Sequence, residues 1–237
     1  MTAYHGGKQK VGKKIAYIIH EMTKDLKVSG YCEPFCGMLG VYQHIPDYIE
    51  KKYSDDFDYL AGDTNEDVIK MWSAAQKGWK PPIKDFSRLD FEKLRNSKSS
   101  PLRGFIGHQC SFSGIFFSSF QPQRSTKEKI HNISTKITNI AKKLNNVTFS
   151  HGDYTQYSNL EGYIIYCDPP YQDTACQYKY GVNHKDFQKW CLKMAKKNYV
   201  FISGYDMPSS FKLIASFENN VSYKGRMNNK DENLYYV

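Results

Sequence analysis

The stretch YIIYCDPPY at residues 163–171 does most to decide the fold of this chain. Its first five residues form an apolar run, which is typical of a strand that is buried on both faces of a parallel sheet. Pro169 and Pro170 have no N–H group to donate, so the ladder ends there and the chain leaves the sheet with a fixed shape. In open α/β sheets, ligands bind at the carboxyl ends of the strands. We therefore expect Asp168 and Tyr171 to stand at a binding site.

These four residues can form a pocket for a flat ring that carries an amino group. Asp168 would accept one N–H of the amine, the carbonyl of Pro169 would accept the other, and Tyr171 would stack on the ring. The amine of adenine or cytosine is a poor nucleophile because its lone pair is delocalised into the ring. Two acceptors would favour a tetrahedral nitrogen with a free lone pair, which stabilises the transition state without a covalent intermediate. A plain turn that contains two prolines is the simpler alternative.

Asp-Pro-Pro-Tyr after an apolar strand resembles the catalytic signature of DNA methyltransferases that act on amino groups. With Gly-Gly-Lys at residues 6–8 and a glycine turn within residues 31–41, the chain resembles the Dam-type adenine methyltransferases, the D12 class of the alpha group. The resemblance implies methyl transfer from S-adenosylmethionine to the 6-amino group of adenine in double-stranded DNA, with flipping of the target base. It also implies catalytic roles for Asp168, Pro169, Pro170 and Tyr171.

Three other functions are compatible with the same residues. The first is the same chemistry on the 4-amino group of cytosine, although cytosine enzymes more often carry serine in place of Asp168. The second is modification of RNA or of a protein glutamine, whose enzymes usually carry asparagine there. The third is a nucleic-acid-binding module that has lost its activity.

The second motif is YCEPFCGMLGV at residues 31–41, which indicates a short strand, a glycine-bearing turn and a helix start. Glycine allows the backbone to approach a ligand closely. In the resemblance, Glu-Pro-Phe-x-Gly-x-Gly cradles the methionine half of the cofactor, so Phe35 and Gly37 are expected to bind S-adenosylmethionine. Leu39 replaces the second glycine of that pattern, and Gly40 follows it. A Cβ at this position demands either a negative φ or a shifted loop.

Two further places are expected to contact the cofactor. Asp63 closes the next strand, where an acidic residue can accept hydrogen bonds from a ribose. Alternatively, Asp63 or Thr64 caps the following helix. Tyr4 and Lys8 flank a Gly-Gly pair that by itself could be a flexible terminus. The resemblance implies that these two residues line the cofactor and target pocket, which Asp168 shares.

The pattern of elements predicts an α/β protein, and the resemblance implies a Rossmann-like, doubly wound methyltransferase sheet. We expect a catalytic domain at residues 1–76 and 127–237 and an inserted target-recognition subdomain at residues 77–126. In that subdomain, base and phosphate contacts are expected from Arg103, His108, Gln109 and Arg124. A purely structural cover for one sheet edge is the alternative. Residues 172–183 are expected to form a loop over the base, and residues 219–237 a terminal hairpin.

The composition sets the remaining expectations. Lys and Arg number 33 against 24 Asp and Glu, a net charge of +9, which suits a polyanion such as DNA. None of the six cysteines forms a C-x-x-C pair, which is the spacing of a zinc site. We expect all six to be reduced thiols in an intracellular protein. The compartment would be the cytoplasm of a microbe or of a virus-infected cell. No membrane span and no metal are expected. We expect a monomer, and the resemblance allows a companion restriction endonuclease.

Overall fold

The computed structural model describes residues 2–49, 57–170, 182–218, 222–223, 226–227 and 231–237. In these ranges the strands are β1 (Gly30–Glu33), β2 (Asp58–Asp63), β3 (Thr148–His151), β4 (Tyr163–Cys167), β5 (Tyr199–Gly204), β6 (Lys212–Phe217), β7 (Ser222–Tyr223), β8 (Arg226–Met227) and β9 (Glu232–Tyr236). One sheet has the order β3-β2-β1-β4-β5-β9-β6, and β7 pairs with β8 separately. The strands from β1 to β5 are parallel, whereas β9 is antiparallel to both β5 and β6.

Helices connect most of the parallel strands, and four of them follow one another between β2 and β3. The helices in the described ranges are α1 (Gly12–Thr23), α2 (Pro46–Ile49), α3 (Glu66–Gln76), α4 (Arg88–Arg95), α5 (Pro101–Gln109), α6 (Lys127–Lys143) and α7 (His184–Met194). Several begin at a polar side chain that accepts a backbone N–H, as N-caps do. Asn65 caps α3, Ser100 caps α5, and Thr126 caps α6.

The sheet is covered on both faces, as the side chains of β4 show. Ile164 and Tyr166 belong to a core that also contains apolar residues of α1, α3, α5 and α6. Ile165 and Cys167 belong to a second core, which includes Phe187 of α7. Successive side chains of a strand point to opposite faces, and all five residues of β4 are buried. The predicted doubly wound α/β fold is confirmed.

The strand order reverses between β1 and β4. These two strands are neighbours, although β2 and β3 lie between them in sequence. A crevice at such a reversal is where open α/β sheets bind ligands. The glycine turn after β1 and Asp168 after β4 therefore meet at this crevice.

The predicted insertion at residues 77–126 shares the core of the sheet. It contains α4 and α5, and Phe105 and Ile106 of α5 are buried in the same core as Trp72 of α3. Gly104 lets α5 lie against α3, because a Cβ there would overlap the carbonyl of Asp67. A recognition role for this segment stays a prediction.

The carboxyl-terminal part agrees in part with its prediction. Within residues 219–237, β7 and β8 pair antiparallel, as in the predicted hairpin. The last strand, β9, was not predicted to enter the main sheet, where it lies between β5 and β6. None of the helices in the described ranges has the length and apolar character that crossing a bilayer requires. The described cysteines are buried and free of disulfides, namely Cys32, Cys36, Cys110, Cys167 and Cys191.

Candidate active site

A cleft of about 1250 Å³ opens where β1, β2 and β4 end. Its walls contain all the residues that the sequence assigns to the cofactor, namely Tyr4, Lys8, Phe35, Gly37, Asp63 and Asp168. They also contain Pro169 and Pro170, which with Asp168 form the turn after β4 that we call the corner. Residues from four separate parts of the sequence thus meet at one site. Tyr171 and the predicted loop up to residue 181 lie outside the described residues, so stacking by Tyr171 stays a prediction.

In this cleft the buried Lys8 forms an ion pair with Asp168, which is partly exposed. Lys8 Nζ lies 2.6 Å from Asp168 Oδ1, donates to the carbonyl of Gly6 at 2.8 Å, and lies 3.5 Å from Glu232 Oε1. Burial opposes the charged ammonium, but the carboxylates of Asp168 and Glu232 outweigh it and raise the pKa of Lys8. Sequence reasoning missed Glu232, because nothing local shows that β9 enters the main sheet.

Glu33, at the end of β1, is a second carboxyl group of the cleft wall. Its Oε1 accepts the hydroxyl of Tyr31 at 2.7 Å. Burial raises the pKa of Glu33 well above its ordinary value, and the charge of Asp168 adds to this effect. Both effects shift Glu33 towards its protonated form.

The glycine turn is held by contacts on both sides of Gly37. Its N–H donates to Asp63 Oδ2 at 2.9 Å, and its carbonyl accepts the indole N–H of Trp72 at 2.9 Å. A Cβ on Gly37 would lie only 2.7 Å from the Tyr4 ring, and φ is +44°. Glycine is therefore required here for both the conformation and the close approach of Tyr4.

Leu39 adopts the left-handed conformation that glycine favours, with φ of +55°. Of the two alternatives for this position, a negative φ or a shifted loop, the negative φ is therefore wrong. The left-handed conformation costs an L-residue about 1–2 kcal/mol, whereas burying a leucine side chain stabilises by about 1.5–3 kcal/mol. Leu39 is fully buried, so its burial offsets the strain.

Asp63 links the glycine turn to the start of α3. Its Oδ1 accepts the N–H of Asn65 at 2.8 Å, while Oδ2 accepts that of Gly37. Burial raises the pKa of Asp63 despite these two hydrogen bonds. The alternative that Asp63 or Thr64 caps α3 is wrong, since Asn65 accepts the N–H of Asp67 at 3.1 Å instead.

Two of the predicted DNA contacts need correction, because His108 and Gln109 are buried. Gln109 accepts the N–H of Ala3 at 2.7 Å and donates to its carbonyl at 3.0 Å. His108 Nδ1 lies 2.8 Å from the carbonyl oxygen of Gly114, and its ring lies 4.8 Å from that of Tyr4. Burial lowers the pKa of His108 to about 4. Both side chains hold the amino-terminal segment against α5.

Arg103 and Arg124 both lie half-buried at the wall of the cleft, so their contacts with DNA stay predictions. The Arg103 guanidinium pairs with Asp67 and donates to the carbonyls of Leu94 and Arg95, each at 3.1 Å. These contacts also brace α5. Arg124 is half-buried at the wall of the cleft, and its Nε donates to the carbonyl of Gln109 at 3.1 Å.

Three features surround this one cleft: an acid–proline–proline corner, a glycine turn and an acidic strand end. This is the arrangement expected of a methyltransferase. The profile of the D12 class N6 adenine-specific DNA methyltransferase family matches residues 4–102 and 109–228. The chain belongs to this family. In the described part of the chain, no group of three or more His, Cys, Asp or Glu side chains could hold a metal ion.

Several solved structures are similar at low identity. The rRNA methyltransferase aviRa from Streptomyces viridochromogenes is 9% identical with a TM-score of 0.42, over 95% of this chain and 84% of that one. PH1948 from Pyrococcus horikoshii is 7% identical with a TM-score of 0.46, over 95% and 81% of the two chains. TrmN from Thermus thermophilus is 10% identical with a TM-score of 0.41, over 94% and 48%. No curated protein sequence matches this chain.

Proposed function

We propose that this protein transfers a methyl group from S-adenosylmethionine to the 6-amino group of adenine in double-stranded DNA. The observation that carries the proposal is the cleft shared by Asp168 and Pro169 after β4, Phe35 and Gly37 after β1, and Asp63 at the end of β2. Three strand ends thus supply a place for an amine beside a place for a nucleoside cofactor. Membership of the D12 family and the net charge of +9 support adenine in DNA as the substrate.

The cleft fits such a cofactor in size and in the groups it offers. Ligand pockets usually measure about 300–1,000 Å³, and this cleft measures about 1250 Å³, which leaves room for a base. Phe35 and the backbone at Gly37 would hold the cofactor. A carboxylate has about four acceptor positions, so Asp63 keeps lone pairs for ribose hydroxyls. When bound, S-adenosylmethionine supplies an electrophilic methyl group on a sulfonium.

The residues of the corner would position and polarise the target amine. Asp168 and the carbonyl of Pro169 would accept its two hydrogens, and Tyr171 would stack on the base. Because the amine lies inside the duplex, the base must leave the stack to reach this cleft. Of the four predicted DNA contacts, we retain Arg103 and Arg124, which lie half-buried at the wall of the cleft.

The sequence is the basis of three further predictions about oligomeric state, location and partners. We expect a monomer, an intracellular location and a possible companion restriction endonuclease. Sedimentation velocity would test the first.

Mass analysis of nucleosides from treated DNA tests the proposed reaction. Unmethylated DNA is incubated with the protein and S-adenosylmethionine, and 6-methyladenine is the expected product. A product of 4-methylcytosine would select the cytosine alternative. Absence of any methylated nucleoside, with no binding of S-adenosylmethionine in calorimetry, would select the inactive module.

A further inference from the structure

Lys8 lies between two carboxylates that belong to different strands of the sheet. Its Nζ is 2.6 Å from Asp168 Oδ1, just after β4, and 3.5 Å from Glu232 Oε1 in β9. The side chains of Lys8 and Glu232 are only 4% and 7% exposed. We propose that Glu232 is a positioning residue, which receives the Lys8 ammonium when the target amine takes its place at Asp168. This inference rests on the proposed function.

The need for a second partner follows from the present position of Lys8. Its ammonium pairs with the carboxylate that is proposed to accept an N–H of adenine. Lys8 gives Asp168 the attraction of an opposite charge in addition to a hydrogen bond, whereas a neutral amine gives the hydrogen bond alone. A neutral amine therefore competes poorly for Asp168 while Lys8 stays where it is.

Glu232 reduces the cost of separating this pair. Removing one partner of an ion pair that is mostly shielded from water is strongly destabilising, because a charge is left uncompensated. With Glu232 near by, Lys8 exchanges one carboxylate for another and keeps its charge paired. The lysine stem has several rotatable bonds. The Lys8 backbone is held in place, because its carbonyl accepts the N–H groups of Val11 at 3.2 Å and Gly12 at 2.6 Å. The movement is therefore confined to the end of the side chain.

Other titratable groups surround Lys8 in the cleft. Lys8 faces the carboxylates of both Asp168 and Glu232, and each of them raises its pKa against the effect of burial. Burial raises the pKa of Glu33 well above its ordinary value, which weakens the charge of this neighbouring carboxyl group. Tyr205 faces the same charges, and burial together with the charge of Glu232 raises its pKa, so it stays neutral.

The isosteric change Glu232→Gln tests the inference in single-turnover methyl transfer with saturating S-adenosylmethionine. We expect a rate at least ten times lower than that of the wild type, with the thermal midpoint and cofactor affinity preserved. Glu161→Gln is the matched control, because Glu161 pairs with Lys197 at an exposed site, and its rate should be unchanged. A wild-type rate in Glu232→Gln would overturn the inference. A wild type that forms no 6-methyladenine would instead refute the proposed function, whatever the variants do.

Two further measurements separate positioning from a merely structural role. The double variant Lys8→Met with Glu232→Gln removes the competing ammonium, so it should be faster than Glu232→Gln alone. A double variant that is no faster would overturn the inference. In nitrogen NMR of the free protein, the pKa of Lys8 should fall in Glu232→Gln and stay constant in Glu161→Gln. An unchanged pKa in Glu232→Gln would show that Glu232 does not act on Lys8.

Discussion

At the scale of single residues, Leu39 shows that the loop imposes its backbone conformation on the residue. Gly37 and Leu39 both have positive φ, at +44° and +55°. The family pattern has glycine at both positions, yet here a leucine adopts the second one. Burial of its side chain lets the loop keep its shape without the glycine.

Replacing Leu39 by Ala and by Gly separates the two contributions. Both variants lose the buried leucine side chain, but only glycine adopts the positive φ of this position without steric strain. We expect Leu39→Gly to be more stable than Leu39→Ala by about 1 kcal/mol in urea unfolding, although both are less stable than the wild type. Leu234 in β9 is equally buried without a positive φ. There the order should reverse, with glycine less stable than alanine. An alanine advantage at position 39 would contradict the left-handed conformation.

His108 makes the stability of the fold sensitive to acid. Its pKa is about 4 in the folded protein against an ordinary value of 6.5. The unfolded chain therefore binds the proton more tightly, and stability is lost as the pH falls from 6.5 towards 4. The difference corresponds to about 3 kcal/mol at most.

We therefore expect His108→Gln to lose less stability than the wild type between pH 7 and pH 4.5. The comparison uses urea unfolding at both pH values. His131→Gln, at an exposed position of α6, should retain the wild-type dependence. Equal losses in His108→Gln and the wild type would show that His108 titrates normally.

At the scale of elements, the amino-terminal segment owes its place to α5. Gln109 binds both the N–H and the carbonyl of Ala3, and His108 packs on Tyr4. Tyr4 and Lys8 can line the cleft only while this segment stays against α5. These side chains of α5 are thus explained by positioning rather than by contact with DNA.

Loosening this attachment should weaken cofactor binding. Gln109→Ala leaves a buried N–H and a buried carbonyl unpaired, at a cost of about 1–3 kcal/mol each. Gln109→Glu keeps an acceptor for Ala3 but turns a carboxylate towards its carbonyl. We expect both to lower thermal stability and the calorimetric affinity for S-adenosylmethionine. Gln123→Ala, at an exposed position, is the control. Unchanged affinity in both Gln109 variants would contradict this role.

The sequence predicts those parts of the site that lie in contiguous motifs. Each of three local patterns predicts a strand that ends in a break: the corner at Asp168, the turn at Gly37 and the strand end at Asp63. The fold class then predicts that these three places meet at one edge of the sheet. Glu232 and the burial of Gln109 depend on contacts between distant parts of the chain. No local pattern carries that information, so only the structure supplies it.

At the scale of the whole molecule, the cleft depends on the order of the strands. Lys8 and Asp168 are 160 positions apart and still form an ion pair. β1 carries the glycine turn proposed for the cofactor, and the neighbouring β4 carries Asp168, proposed for the amine. β9 brings Glu232 to the same edge of the sheet. Two apolar cores, one on each face, hold this arrangement. We propose that this one cleft places an amine at Asp168 beside a methyl donor.

Single-turnover methyl transfer by Asp168→Asn tests this claim most directly. The variant keeps the shape of the side chain but loses the carboxylate charge, so binding of S-adenosylmethionine should persist. Asp186→Asn, on the exposed face of α7, should retain the wild-type rate. We predict that Asp168→Asn forms 6-methyladenine about 100-fold more slowly or worse. A wild-type rate in Asp168→Asn would contradict the account.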